Sequence, residues 1–301
     1  MRCAAELSGM TITTLATATV APSSPAKLYD ATRLWSPADA GVELSVVVPF
    51  YNPGAALRPT VERLVRCLTD ANVAFEVIAV SDGSTDGSER SLDGIAGVRV
   101  VDSRINQGKG AALHLGFAAA RGSWVGFVDA DGDIDPEHLI DYLLLARDGG
   151  HAGVYADKRH AASVSASSPF RKLVSTFYST LVTLLFVLGM RDTQTGCKVL
   201  RRDVLADLLP RLRERRFAFD LEFFVAAKAA GIQGFVAAPV RLSERVAGST
   251  VTGKAILRTI RDTFVIFGRN LTGQYRPAVA PVTVIVRPQA LSTLRAFGEA
   301  A

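Results

Sequence analysis

Residues 124–135 read Trp-Val-Gly-Phe-Val-Asp-Ala-Asp-Gly-Asp-Ile-Asp, an apolar run that ends in carboxylates at every second position. Trp124 to Val128 have the length and residue types of a fully buried strand. In an open parallel sheet, ligands bind in the crevice beyond the strands' carboxyl ends, so Asp129, Asp131 and Asp133 stand where a ligand is expected. Carboxylates crowded in this way repel one another unless a cation lies between them. Hard oxygen donors suit Mg²⁺ or Mn²⁺, and Mg²⁺ typically takes one or two carboxylates together with substrate phosphates. The pattern points to a metal-bound phosphorylated substrate. An EF-hand loop starting at Asp129 is excluded, because it needs Gly at its sixth position and Glu at its twelfth, where this chain has Ile134 and Ile140. Asp135 before Pro136 reads as the cap of the next helix, but a cap uses one Asp and not four.

The elements that must position these groups follow from hydrophobic runs and turn signals. Strands are expected at Glu43 to Pro49, Phe75 to Val80, Val98 to Asp102 and Trp124 to Val128. Helices are expected at Leu57 to Leu68, Ala111 to Ala120 and from Pro136 to Ala146, the second closed by Arg121-Gly122 as a C-cap signal. Four strand–helix alternations predict an α/β fold, a mainly parallel sheet with helices on both faces. Each polar cluster follows a strand, which brings all of them to one edge of the sheet and into a single site.

Composition narrows the class. A chain of 301 residues that is 49% hydrophobic can build a substantial core, and it carries a net charge of +5. Cys3, Cys67 and Cys197 have neither CxxC nor zinc spacing, which suits a reducing compartment. The arginines of 211–216 read first as a solvated helix face and next as contact with an anionic membrane surface. Nucleic acid is not expected, because no aromatic interleaving or recognition motif accompanies them. Residues 1–40, rich in Ala, Thr, Ser and Pro, read as a disordered extension and lack the apolar core of a signal peptide. The expected organisation is a catalytic domain over 41–250, a C-terminal amphipathic helix over 251–276, and a tail over 277–301 in which Val282 to Val286 could add a strand.

Gly108-Lys109-Gly110 lacks P-loop spacing, and no Gly-x-Gly-x-x-Gly follows the first strand. Lys109 could still approach a diphosphate, together with backbone amides at the start of the following helix. Leu173 to Met190 is 18 residues without a charge and would span about 27 Å as a helix, marginal for a bilayer. Thr176, Ser179, Thr180 and Thr183 fall on one face, and Leu173, Phe177, Leu181, Leu184 and Leu188 on another. That pattern favours an amphipathic helix, buried or lying in a membrane interface, over a spanning one.

The order Val-Pro-Phe-Tyr-Asn (48–52), Ser-Asp-Gly-Ser-Thr-Asp-Gly (81–87), Asn-Gln-Gly-Lys-Gly-Ala (106–111) and Asp-Ala-Asp-Gly-Asp (129–133) resembles family 2 glycosyltransferases. Asp-Thr-Gln-Thr-Gly-Cys-Lys (192–198), Phe-Asp-Leu-Glu-Phe (219–223) and Arg-x-x-Gly-Ser (245–249) extend the resemblance to the dolichyl- or polyprenyl-phosphate hexose synthases. It covers about residues 43–270, and the fold it implies is GT-A.

The resemblance implies a nucleotide-sugar pocket at Pro49, Tyr51, Asn52, Ser81, Asp82, Asn106, Lys109, Gly110, Asp129 and Ala130, with Asp82 gripping base or ribose. It implies Asp129 and Asp131 as the metal pair, with Asp133 standing where relatives often carry a Gln. Asp131, Arg159 and Arg171 would be catalytic, the two arginines meeting donor or acceptor phosphates, and Arg171 and Arg245 would bind the acceptor phosphate. Three positions depart from the family's pattern: Pro53 replaces a Glu, Ser81 the first of two Asp, and Thr250 a Lys, with Lys254 one helical turn further on.

The implied activity moves a hexose from a nucleotide sugar to polyprenyl phosphate, with inversion, Mg²⁺ or Mn²⁺ as cofactor, and peripheral attachment to the cytoplasmic face of a membrane. A lipid phosphate is mostly dianionic at pH 7 and needs no general base, which fits His114, His138, His151 and His160 being ordinary helix or loop residues. Asp192, Asp220 and Glu222 are the carboxylates that would serve if the acceptor were a sugar hydroxyl; otherwise they read as a loop contact and helix-start carboxylates. Asp-Ala-Asp-Gly followed by Asp-Thr-Gln-x-Gly-x-Lys resembles the glucosyl branch more than the mannosyl one, placing UDP-glucose ahead of GDP-mannose. A soluble transferase with a small hydroxylated acceptor, and a nucleotide-sugar-binding protein without turnover, are the alternatives.

Overall fold

A computed structural model describes residues 41–164, 169–190, 192–242 and 253–277. The 1–40 extension, Arg245, Thr250 and the Val282 to Val286 segment lie outside the described residues, as do the side chains of Arg171 and Lys254.

Strands β1 (Leu44–Phe50), β2 (Phe75–Asp82), β3 (Val98–Ser103) and β4 (Trp124–Val128) pair in parallel in the order β3-β2-β1-β4. Every residue of β1 is buried, as expected of a strand covered on both faces. Its alternation splits the core: Val47 joins Ile78, Leu113, Phe117 and Phe127 on one side, while Val46 and Val48 join Leu57, Leu64, Leu139 and Tyr142 on the other. Helix α1 (Leu57–Asp70) buries Leu57, Val61, Leu64 and Leu68, a stripe at helical spacing. Helices α2 (Lys109–Ala119) and α3 (Glu137–Asp148) follow β3 and β4.

The sheet has seven strands among the described residues. β5 (Gly153–Ala156), β6 (Cys197–Arg201) and β7 (Phe235–Ala238) complete the order β3-β2-β1-β4-β6-β5-β7, and β6 runs antiparallel to both β4 and β5. Helices α4 (Pro169–Phe186), α5 (Arg202–Leu208), α6 (Phe219–Ala229) and α7 (Gly253–Leu271) complete the fold. The Arg121-Gly122 cap is corrected. Helix α2 ends at Ala119, and the amides of Arg121 and Gly122 bond to Ser45 Oγ at 3.0 and 2.8 Å, tying the turn to β1.

Helix α4 forms where the uncharged segment predicts it but stops at Phe186, with Val187 in a left-handed conformation. Its apolar residues do not share one face. Val182 and Phe186 are buried and Tyr178 and Leu185 pack against the core, whereas Phe177 and Leu184 are exposed. Helix α7 packs on α4 through a 3.1 Å hydrogen bond between the Tyr178 and Thr263 hydroxyls and an edge-on contact of Phe186 with Phe267. No helix among the described residues is long and apolar enough to cross a membrane.

Candidate active site

The loops leaving β1 and β2 are stitched together. Asn52, at a φ of +47°, accepts the Thr85 amide on Oδ1 at 2.8 Å and donates its own amide to Ser84 Oγ at 3.1 Å. The Gly54 amide reaches Asp86 Oδ2 at 2.8 Å, and buried Ser81 accepts the Ser84 amide on Oγ at 3.2 Å. Pro49 stays buried in β1 while Tyr51 is exposed. One firm wall thus carries an accessible aromatic ring, with exposed Asn106 on the loop after β3.

Asp82 closes β2 and faces the start of α2. Its two oxygens accept the amides of Gln107 at 2.8 Å and Gly108 at 2.7 Å. A carboxylate is favourable at a helix N-terminus, and here the protein supplies that anion itself. Three residues on, the Ala111 amide donates to the Arg215 carbonyl at 2.9 Å. A side chain on Gly110 would meet Arg215 and Glu214 backbone atoms at 2.7 Å, so only glycine lets the two segments approach this closely. Asp82 and the Arg215 carbonyl thus take amides on either side of Lys109 and Gly110, the two residues that open α2. The 211–216 arginines do not form a helix face beyond Arg211, for residues 212–216 are a loop laid over α2, where Arg215 also bonds Gln107.

Lys109 Nζ lies 2.6 Å from Asp129 Oδ1 and 3.7 Å from Asp220 Oδ2, and Lys198 Nζ lies 2.6 Å from Asp220 Oδ1. The Lys109 and Lys198 ammonium groups stand 5.5 and 5.0 Å from the centre of the Phe127 ring. Burial alone would lower the Lys109 pKa, but Asp129 and Asp220 outweigh it and push it up, so the ammonium stays charged. Asp129 can sit here because residue 196 is glycine: a Cβ there would fall 1.8 Å from Asp129 Oδ2. Ala130 turns inward into the core, and Asp131 is exposed, with the Asp133 amide on its Oδ1 at 3.1 Å. Protein atoms crowding Asp131 push its carboxyl up; the Asp133 amide and Lys109 pull it down, while Asp129 adds to the rise.

Among the described residues, no group of three or more His, Cys, Asp or Glu is placed to hold a metal ion. The expected set of Asp129, Asp131 and Asp133 therefore does not form a three-carboxylate cage, because Asp131 turns to its own loop amide and Asp129 to Lys109. The Asp129–Asp131 pair remains a donor set of hard oxygens that fits Mg²⁺ or Mn²⁺ completed by substrate phosphates.

Arg159 docks on α4, its guanidinium donating to Ser179 Oγ at 2.5 Å and the Ser175 carbonyl at 2.9 Å, with its amide on buried Asp157 at 2.8 Å. Arg171 lies in the first turn of α4. Asp192 is a loop contact, accepting the Gln194 amide at 3.0 Å and the Thr195 hydroxyl at 2.5 Å. Glu222 is fully buried and accepts four hydrogen bonds, which excludes it as a base. Sequence reasoning passed over Lys198 and Gly196, although both stand in the quoted 192–198 motif; a lysine beside the apolar Val199 and Leu200 was the available signal.

A seven-stranded sheet flanked by helices, with strand-end carboxylates beside a lysine, has the architecture of a GT-A glycosyltransferase. The sequence matches the family described as Glycosyl transferase family 2 over residues 45–209, and the chain belongs to that family and is a glycosyltransferase. It is 34% identical over 257 residues to dolichyl-phosphate beta-glucosyltransferase of Drosophila melanogaster, covering 79% of this chain and 78% of that protein. The human protein of the same name is 31% identical over 252 residues, covering 78% of each. Among solved structures, glucosyl-3-phosphoglycerate synthase from Mycobacterium tuberculosis in complex with Mn²⁺, UDP and phosphoglyceric acid superposes with a TM-score of 0.60. It shares 21% identity, over 83% of this chain and 84% of that one, a likeness of fold.

Proposed function

We propose that the chain moves a glucosyl unit from UDP-glucose to the phosphate of a polyprenyl phosphate, with inversion, as a peripheral protein on the cytoplasmic face of a membrane. The reading is carried by one observation: Lys109, Asp129 and Asp131 converge at the carboxyl edge of the parallel half-sheet, in a chain with dolichyl-phosphate beta-glucosyltransferase relatives. Negative charge develops on the departing diphosphate. Asp129 and Asp131 would hold a divalent cation there, whose charge on the diphosphate oxygens lowers the barrier. Lys109 adds a fixed ammonium beside it. Arg159, oriented by α4, and Arg171 and Arg245 would meet donor and acceptor phosphates. Pro49, Tyr51, Asn52, Ser81 and Asp82 would border the nucleoside.

The acceptor supplies its own nucleophile. A phosphate monoester has a second pKa near 6, so its oxygen attacks the anomeric carbon while the diphosphate leaves from the opposite face. No base is required, and the carboxylates that could have provided one support this: Asp220 is paired with Lys198, Glu222 is saturated and Asp192 holds its own loop. Attachment to lipid is supported by side chains exposed on α4 and α7. Phe177 and Leu184 face solvent on the first; Leu257, Phe264, Val265 and Leu271 do so on the second, interspersed with exposed Arg258 and Arg261. Apolar and cationic side chains mixed on one helix suit an anionic lipid surface.

The test incubates the purified chain with radiolabelled UDP-glucose or GDP-mannose, with polyprenyl phosphate or 3-phosphoglycerate as acceptor. Label from UDP-glucose passing into the organic phase is expected. Organic-phase label from GDP-mannose alone overturns the sugar, and label confined to the water-soluble acceptor overturns the lipid.

A further inference from the structure

Four charges alternate in a row behind the site: Asp129, Lys109, Asp220, Lys198. Lys109 reaches Asp129 at 2.6 Å and Asp220 at 3.7 Å, while Lys198 secures Asp220 from the other side at 2.6 Å. The Lys109 side chain is 13% exposed, the Lys198 side chain 2% and that of Asp220 3%, whereas Asp129 keeps 32%. Lys198 and Asp220 are thus locked together, and Lys109 is the member with two carboxylates to choose between. Lys109 sits on Oδ1 of Asp129, so a cation that binds this carboxylate meets an ammonium already in place.

We infer that Lys109 is a resident counter-ion that holds the metal position on Asp129 and makes cation binding contingent on the nucleotide diphosphate. This rests on the reading of Asp129 as a metal ligand. With no nucleotide bound, a divalent cation must displace an ammonium from Asp129 and then tolerate it nearby. With a diphosphate bound, Lys109 gains a new anion and shifts toward it or toward Asp220, and Asp129 is released. Lys109 therefore positions the donor and couples two binding events that the carboxylates alone would leave independent.

The experiment measures Mn²⁺ binding to the full chain by electron paramagnetic resonance, with and without UDP, for wild type, Lys109→Gln and Lys109→Arg. Asp220 retains Lys198 and Asp129 retains water when Lys109 is neutralised, so Lys109→Gln should fold, which its melting curve checks. Lys109→Gln should bind Mn²⁺ without nucleotide about ten-fold tighter than wild type, about 1.4 kcal/mol. Its gain in Mn²⁺ affinity on adding UDP should be smaller by about the same factor. Lys109→Arg, which keeps the charge, should behave as wild type. Equal Mn²⁺ affinity of wild type and Lys109→Gln without UDP overturns the counter-ion role. Absence of Mn²⁺ binding in every protein, with UDP and with GDP, overturns the metal reading and the inference with it. A loss of UDP-enhanced binding that GDP restores overturns only the choice of base.

Discussion

Asp129 and Glu222 are both carboxylates set beside a cation, and they are satisfied in opposite ways. Glu222 is wholly buried; its Oε2 accepts the amides of Arg213 at 2.7 Å and Glu214 at 2.6 Å, and its Oε1 accepts Arg269 at 3.0 Å and the Tyr275 hydroxyl at 2.6 Å. Asp129 keeps about a third of its side chain in solvent and pairs with one lysine that has a second carboxylate within 4 Å. Four donors use up Glu222 and fasten the 212–216 loop to α7; through the Arg215 carbonyl on the Ala111 amide, that fastening reaches the start of α2. Asp129 retains capacity for another partner. A saturated carboxylate holds structure, and an under-used one beside a movable cation is available for chemistry.

The comparison is broken most directly at the chemical end. Asp131→Ala should lower glucosyl transfer by roughly a hundred- to a thousand-fold, since removing a single stabilising group at developing charge costs about that much. Its melting temperature should stay near wild type, because the residue is exposed and its one described hydrogen bond is to the Asp133 amide of its own loop. Activity retained in excess EDTA would remove the metal from the proposal. At the structural end the effects exchange places. Glu222→Ala leaves Arg269, two amides and the Tyr275 hydroxyl unpartnered in the interior, and should destabilise the fold by about 3–5 kcal/mol. Denaturant unfolding measures this, and a Glu222→Ala protein as stable as wild type would refute the fastening role.

Gly196→Ala sharpens the contrast by disturbing Asp129 without removing it. The added methyl would overlap Asp129 Oδ2 at 1.8 Å, so the carboxylate must turn or the β6 approach must widen. Displacement of about 1 Å at a reacting centre can cost roughly a hundred-fold, and transfer should fall by about ten- to a hundred-fold with a smaller loss of stability than Glu222→Ala. Unchanged transfer would mean that the position of Asp129 is not critical.

The parallel half of the molecule was legible because its strands are five to eight residues long, rich in Val and Phe, and each leads into a polar cluster; the carboxylates directly after Val128 contradict the run they follow. The other half was not. β5 and β7 are four residues each, and β6 has a lysine as its second residue and an arginine as its last, so none carries the apolar run that marks a buried strand. That lysine is tolerated because Asp220, 22 residues away, meets it in the folded chain, a pairing no local pattern announces. The 211–216 arginines misled in the same way: charge density suggested a solvated helix, whereas Glu222 and Ala111 hold the segment as a loop. In α4 the uncharged length was legible, but which apolar residues face the core depends on α7, whose Thr263 meets Tyr178 from 85 residues further on.

Glu76 offers the finest test, since it is a second fastened carboxylate whose satisfaction depends on pH. It accepts the Ser45 hydroxyl at 2.7 Å, the Arg121 amide at 2.8 Å, and the guanidinium groups of Arg121 at 3.0 Å and Arg99 at 3.1 Å. Burial pushes its carboxyl up, but the bonds from Ser45, Arg121 and Arg99 outweigh that and hold it below the ordinary value of 4.5. A carboxylate whose folded pKa is depressed binds fewer protons in the native state than in the unfolded one. Its stabilisation is therefore complete above 4.5 and is lost as pH falls through the folded value. Glu76→Gln keeps the shape and removes the titration. The gap in unfolding free energy between wild type and Glu76→Gln should be about 1 kcal/mol near neutrality and should close as the buffer is taken below the ordinary glutamate range. A gap that stays constant from neutral to acid buffer would show that the ionised form of Glu76 contributes nothing the amide does not.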